Sequence, residues 1–255
     1  MKISVLSSGS SGNCFYIENK DNSILVDAGI SCKQIVERMN RIKKNPADVK
    51  GIFITHEHSD HIKGADVFAR EFNLPIFVNK KTSKNCFLCS NESLINTFKT
   101  DETTIIGGME VRAFEKSHLG AEPVSYSITN GKKISIITDA GYACKNIVEN
   151  VSDSDFLCLE SNHDIDMLDN GPYPWHLKKW VRSDKGHLSN MQASLCVMEH
   201  APKKLKNIVL SHLSLNNNTP KLALDTARHW IGQRADLRPK ISVSNREFPT
   251  SLFSV

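Results

Sequence analysis

Between Thr55 and His61 the chain reads Thr-His-Glu-His-Ser-Asp-His, three imidazoles and two carboxylates within six residues. Imidazole nitrogens and carboxylate oxygens are the donors that hold divalent cations. Along an extended segment alternate residues share a side, so His56 and His58 can grip one ion while a following turn swings Asp60 and His61 toward a second. A solvated loop has no use for such a density of ligands. Three apolar runs end in the same manner: Gly-Ile-Phe-Ile-Thr-His56, Ile-Ser-Ile-Ile-Thr-Asp139 and Asn-Ile-Val-Leu-Ser-His212. A fourth, Phe156-Leu-Cys-Leu-Glu160-Ser-Asn-His163, also runs into ionisable residues. Side chains at the carboxyl ends of buried strands are fixed by a rigid element and face the open crevice beyond it.

The pattern His-x-His-x-Asp-His after an apolar strand resembles the signature of the metallo-β-lactamase superfamily, and the rest of the chain agrees with it in order. Leu25-Val26-Asp27-Ala28-Gly29 resembles the family's early strand and Asp-Gly turn, while His118, Asp139 and His212 match its third histidine, its bridging carboxylate and its last ligand. His118 on its own, between Ser117 and Leu119, would be an ordinary loop histidine. The resemblance implies a four-layer αββα sandwich, with residues 1–255 as a single hydrolase domain. It also implies His56, His58 and His118 on one cation, Asp60, His61 and His212 on another, and Asp139 shared. The donor set is all nitrogen and oxygen, which suits zinc first, with manganese or iron as alternatives. Two such ions, roughly 3.5 to 4 Å apart, lower the pKa of a shared water and clamp the attacked group. Asp60 can orient that water or take its proton.

Fold and metals alone leave lactams, thioesters, lactones and phosphodiesters open. Gly186-His187-Leu-Ser-Asn190 before a predicted helix, followed by His212-Leu-Ser-Leu-Asn-Asn-Asn, is close to the phosphodiesterase members ribonuclease Z and PhnP. That match implies His187 beside the leaving oxygen, with Glu160 orienting it. Glu160-Ser-Asn-His163-Asp, Tyr173-Pro174 and the amino-terminal Ser7-Ser-Gly-Ser-Ser-Gly-Asn13 resemble the bacterial YycJ (WalJ) subgroup, whose members are regarded as DNA exonucleases. DNA attacked from a 5′ end is therefore the expected substrate, RNA ranks below it, and the alternative is a small-molecule hydrolase for a cyclic phosphodiester, lactone or thioester. His163 is carried along as a substrate contact. Ser8, Gly9, Ser10 and Ser11 either line the mouth of the site with backbone N–H groups or make a plain turn. Lys178, Lys179, Arg182 and Lys185, interleaved with Trp175 and Trp180, could guide a phosphate backbone or simply form a solvated helix face.

The elements that must position these residues follow an α/β pattern. Ile3–Leu6, Ile24–Val26, Ile52–Ile54, Ile134–Ile137, Phe156–Leu159 and Ile208–Leu210 read as short buried strands. Ser31 can cap a helix through Gln34, with Ile35, Val36, Met39 and Ile42 on its apolar face. A second helix after His61 should bury Ala65, Phe68 and Phe72. A third, from about Ser189 to His200, should turn Met191, Leu195 and Met198 inward. The polar stretch Asn79 to Asp101 reads as a long loop or an inserted helix pair. The seven cysteines are odd in number and scattered, Cys86-Phe-Leu-Cys89 included, which suits free thiols in a reducing, cytoplasmic setting. No apolar run is long enough for a membrane span, and Met1–Leu6 is too short for a signal-peptide core. A net charge of +4 permits a polyanionic partner without requiring one. Self-association as a homodimer is compatible with the composition.

Overall fold

The computed structural model describes residues 1–255, in two compact units. Met1–Glu115, Gly120–Asn130 and Ser244–Val255 form the first, and Lys116–Leu119 with Gly131–Val243 the second. The first carries strands β1 (Lys2–Ser7), β2 (Cys14–Asn19), β3 (Asn22–Val26), β4 (Val49–Phe53), β5 (Ile76–Asn79), β6 (Ile95–Phe98), β7 (Thr103–Ile106), β8 (Met109–Glu115) and β9 (Val124–Asn130). The second carries β10 (Lys132–Ile137), β11 (Phe156–Glu160), β12 (Asn207–Ser211) and β13 (Lys240–Val243), and β14 (Phe253–Ser254) returns to the first. Helices α1 (Cys32–Arg41), α2 (Ser59–Ile62), α3 (Ala65–Phe72) and α4 (Lys80–Lys84) lie in the first unit. The second holds α5 (Lys145–Val151), α6 (Ile165–Asn170), α7 (Trp175–Val181), α8 (Asn190–His200) and α9 (Pro220–Gly232).

In the first unit the sheet runs β14-β1-β2-β3-β4-β5-β6, antiparallel up to β3 and parallel from there on. Its central strands are apolar nearly throughout, as strands covered on both faces must be. The antiparallel meander β7-β8-β9 packs against it, with Tyr126 donating to the Ile54 carbonyl at 2.7 Å and lying edge-on to Phe53. Helix α1 begins with the expected Ser31–Gln34 capping box and buries Ile35 and Met39, with Val36 and Ile42 half-covered. Helix α3 buries Ala65, Phe68 and Ala69, and Phe72 partly.

The second unit is built on parallel β13-β12-β11-β10. Ile137 pairs with Leu159, Leu159 with Leu210, and Glu160 with Ser211. This register brings Asp139, Glu160 and His212 to one carboxyl edge.

Two expectations need correction. Helix α8 turns Asn190, Ala193, Ser194, Cys196 and Val197 inward, while Met191 is 37% exposed and Leu195 and Met198 are only half-buried. The buried side chain of Asn190, bonded to Ser161 and Asn218, fixes the rotation at the helix start, and its i+3, i+4 and i+7 neighbours follow it inward. The stretch from Asn79 to Asp101 is no helix pair. It holds the short α4, a 3-10 turn at Glu92–Leu94 and the edge strand β6, which pairs in parallel with β5 from Ile76↔Ile95 to Asn79↔Phe98. Being an edge strand, β6 has only half-buried and exposed positions and lacks the apolar run that marks a central strand. All seven cysteines are free. No helix is long and apolar enough to cross a membrane.

Candidate active site

In the first unit, β4 runs out at Phe53 and His56 follows it, fully buried, with His58 at the start of α2 and Asp60 and His61 inside that single helical turn. His56 Nε2 lies 3.0 Å from His58 Nδ1, and His61 Nε2 lies 3.4 Å from Asp60 Oδ2. Two residues that the sequence did not mark as functional hold this turn. Asp27, fully buried after β3, accepts from Thr55 N through Oδ1 at 2.9 Å and from His61 Nδ1 through Oδ2 at 2.6 Å. Thr55 gives its hydroxyl hydrogen to the same carboxylate, so its oxygen can accept from His56 Nδ1 at 2.9 Å. Both imidazoles therefore carry their hydrogen on Nδ1 and a lone pair on Nε2.

The second unit repeats the device. His118 Nδ1 faces the Gly186 carbonyl at 3.1 Å, and His212 Nδ1 faces Glu160 Oε1 at 2.9 Å. Each partner is an acceptor, so Nε2 again keeps the lone pair. Asp139 Oδ1 lies 3.4 Å from His212 Nε2 and 3.8 Å from His118 Nε2, a central position suited to a carboxylate common to two ions. Burial pushes the His118 pKa down to about 3, the nearby Asp139 opposing, so its imidazole stays neutral as a ligand must. Ligand atoms of Asp139, Glu160, His187 and His212 all lie within 4.8 Å of one another. An imidazole with Nδ1 pinned to a fixed acceptor and Nε2 presented is the usual arrangement around a bound metal, so the donor set fits divalent cations.

Glu160 is the hub of that unit. Fully buried at the end of β11, it accepts through Oε1 from His187 Nδ1 at 2.8 Å as well as from His212, and through Oε2 from Ala140 N at 2.8 Å and Leu188 N at 3.1 Å. Burial acts to raise its pKa, yet the two imidazoles outweigh it and hold the carboxyl below its usual range. Trp180 packs edge-on against the His187 ring with centroids 5.4 Å apart. Asn162 donates to the His212 carbonyl at 2.9 Å.

Three of these residues stand on unusual backbone. Asp27, Asp139 and His212 have φ of 59°, 54° and 56°, the left-handed region that side chains other than glycine avoid. Each directly follows a strand or lies one residue beyond it, and the turn re-aims its side chain across the carboxyl edge.

The expected substrate contacts fare unevenly. Ser10 and Ser11 are exposed, but Ser8 is buried and its hydroxyl donates to Asn13 Oδ1. The Gly9 N–H donates to the same oxygen, so Ser8 and Gly9 both turn toward Asn13 within the loop. His163 is buried, bridged through its backbone to Ser189, and its pKa is lowered to about 4 by burial, which keeps the ring neutral. In the basic run, Lys178 donates to the Asp169 carbonyl and Arg182 is ion-paired with the Asp169 side chain, while Lys179 and Lys185 make no such pairing with Asp169.

A family model described as "Metallo-beta-lactamase superfamily" matches residues 8–172. An exodeoxyribonuclease of Bacillus anthracis, YycJ, is 40% identical over 232 residues, spanning 88% of this chain and 86% of that protein. Among solved structures, the metallo-beta-lactamase fold protein YhfI of Bacillus subtilis superposes with a TM-score of 0.74 at 15% identity, covering 98% of each chain. The short form of human tRNase Z gives 0.66 at 15% identity over the whole of both chains.

Proposed function

Because this chain belongs to the metallo-beta-lactamase superfamily, we propose that it is a DNA exonuclease that holds two divalent cations and releases nucleotides from a 5′ end. It has the superfamily's fold, as its signature led one to expect, and it is a metal-dependent hydrolase. In this proposal residues 1–255 act as one domain, in keeping with a family match over residues 8–172 that takes in parts of both units. His56, His58 and His118 hold one cation, Asp60, His61 and His212 the other, and Asp139 is common to both. Zinc suits this nitrogen and oxygen set best, ahead of manganese and iron. Bound there, the cations would supply a water acidic enough to react near neutral pH and positive charge for the oxygens of the attacked phosphate.

The chain's own residues do the rest. Asp60 orients the attacking water and accepts its proton, a carboxylate having one oxygen to spare for that task. His187, held through Nδ1 by Glu160, points Nε2 at the leaving oxygen and protonates it. The double acceptance by Glu160 Oε1 is the observation that carries the proposal. One buried carboxylate fixes a ligand imidazole and, beside it, a second imidazole that can serve as the acid an alkoxide leaving group needs. The exodeoxyribonuclease name of the Bacillus anthracis relative supports DNA as the polymer. Exposed Trp175, with Lys179 and Lys185 near it in sequence, offers a ring for base stacking beside charges for the phosphates.

The test is digestion of duplex and single strands, labelled at either end, by metal-loaded protein. Mononucleotides should appear first from the 5′ label. Asp60→Ala should abolish release, and His187→Ala should lower kcat by about 10²- to 10⁴-fold with both cations retained. Turnover of a cyclic phosphodiester, lactone or thioester, with DNA left intact, would overturn the proposal in favour of a small-molecule hydrolase.

A further inference from the structure

The loop Ser8–Asn13 closes on a single carboxamide in the first unit. Asn13 is fully buried. Its Oδ1 accepts from Gly9 N at 2.9 Å and from the Ser8 hydroxyl at 3.1 Å. A backbone N–H can only donate, so the atom facing the Gly9 N–H must be the amide oxygen, and the NH2 group, which also lies 3.3 Å from the Gly9 carbonyl, is left to the acceptors beyond it. There its nitrogen lies 3.2 Å from Asp60 Oδ2 and 3.1 Å from His61 Nε2. His61 Nε2 is the lone-pair nitrogen, since Nδ1 is committed to Asp27.

The placement is tightly enforced. Asn13 N donates to the Asp60 carbonyl at 2.8 Å and Gly29 N to the Asn13 carbonyl at 2.8 Å. A Cβ on Gly29 would stand 1.6 Å from the Asp60 carbonyl oxygen, so only glycine lets the two loops approach this closely.

We infer that Asn13 is the positioning residue of the cation-binding pair Asp60–His61, its amide N–H groups standing in for the positive charge that these two side chains are shaped to receive. The inference rests on Asp60 and His61 being ligands, as proposed above. Without an ion, an imidazole lone pair and a carboxylate oxygen 3.4 Å apart would repel each other across a largely buried space. The amide hydrogens satisfy both and hold them apart at a separation that a cation can bridge. When a cation takes the His61 lone pair, one N–H remains on Asp60 and keeps its carboxylate from rotating.

The experiment is titration of metal-stripped protein with Zn²⁺ against a chromophoric chelator, alongside melting curves of the stripped and loaded forms. Wild type should take up two equivalents. Asn13→Ala should weaken one of them by about 10- to 100-fold and leave the other within about twofold. Ser8→Ala, which keeps the amide but removes one of the two groups that orient it, should weaken the same equivalent by less. Asn13→Asp, nearly isosteric, places a carboxylate against Asp60, so the stripped form should melt lower and gain more on Zn²⁺ addition than wild type does.

Equal weakening of both equivalents, or none, in the Ala variants would overturn the inference, as would an unchanged melting temperature for stripped Asn13→Asp. The Ser8 and Asp variants decide the matter if Asn13→Ala does not fold. A wild type that takes up no cation would instead remove the proposed function, and the inference with it.

Discussion

At residue 160 a change of one atom separates charge from shape. Glu160→Gln keeps the volume of the side chain but replaces an acceptor that serves four donors by an amide that must offer hydrogens to some of them. We expect kcat to fall about 10- to 100-fold with KM nearly unchanged, together with weaker metal retention, because His212 and His187 lose the same anchor. A steady-state assay with metal analysis of the dialysed protein checks both, and an unaltered kcat would mean that Glu160 only fills space. The donors themselves were legible in the sequence, because His56-x-His58-x-Asp60-His61 has no competing explanation. Their supports were not. An Asp after a strand or an Asn after glycine has many structural uses, and only proximity tells that Asp27 orients His61 or that Asn13 faces Asp60. The Asp27-Ala-Gly29 turn was visible as a family feature without its purpose. His163, carried along as a substrate contact, is as deeply buried as His56 and His118.

Strands that carry site residues were legible because a strand buried on both faces is an unbroken apolar run, and β4, β10, β11 and β12 end in such runs. Helix rotation was harder. In α8 the large apolar residues Met191, Leu195 and Met198 suggest one face, yet the small and polar Asn190, Ala193 and Ser194 occupy the crowded one, because a buried amide network at the helix start outranks side-chain size. The consequence is measurable. Ala193→Leu should overpack the interior and lower stability by about 1–3 kcal/mol, whereas Met191→Lys should stay within about 0.5 kcal/mol. Denaturant melts that ranked the two variants the other way round would refute the assigned rotation.

At the scale of the molecule, a net charge of +4 says little about a polyanion until the cations already engaged are set aside. The Asp169 carboxylate pairs with Arg182, whereas Lys178 meets only the Asp169 carbonyl, so Lys178, Lys179 and Lys185 keep their charge within the basic run. Lys179→Glu with Lys185→Glu should weaken DNA binding and flatten the dependence of log K on log salt by about 0.9 for each phosphate no longer neutralised. Binding isotherms at several salt concentrations read this out, and an unchanged slope would place the strand elsewhere. The whole molecule also bears a cost fixed by its backbone. Asp27, Asp139 and His212 occupy a conformation that glycine enters freely and that other residues adopt at about 1 kcal/mol or more each. Glycine would relieve that strain at each of the three places, but at Asp27 it would also strand the buried Thr55 and His61 donors, so the contorted backbone persists for the sake of what its side chains reach.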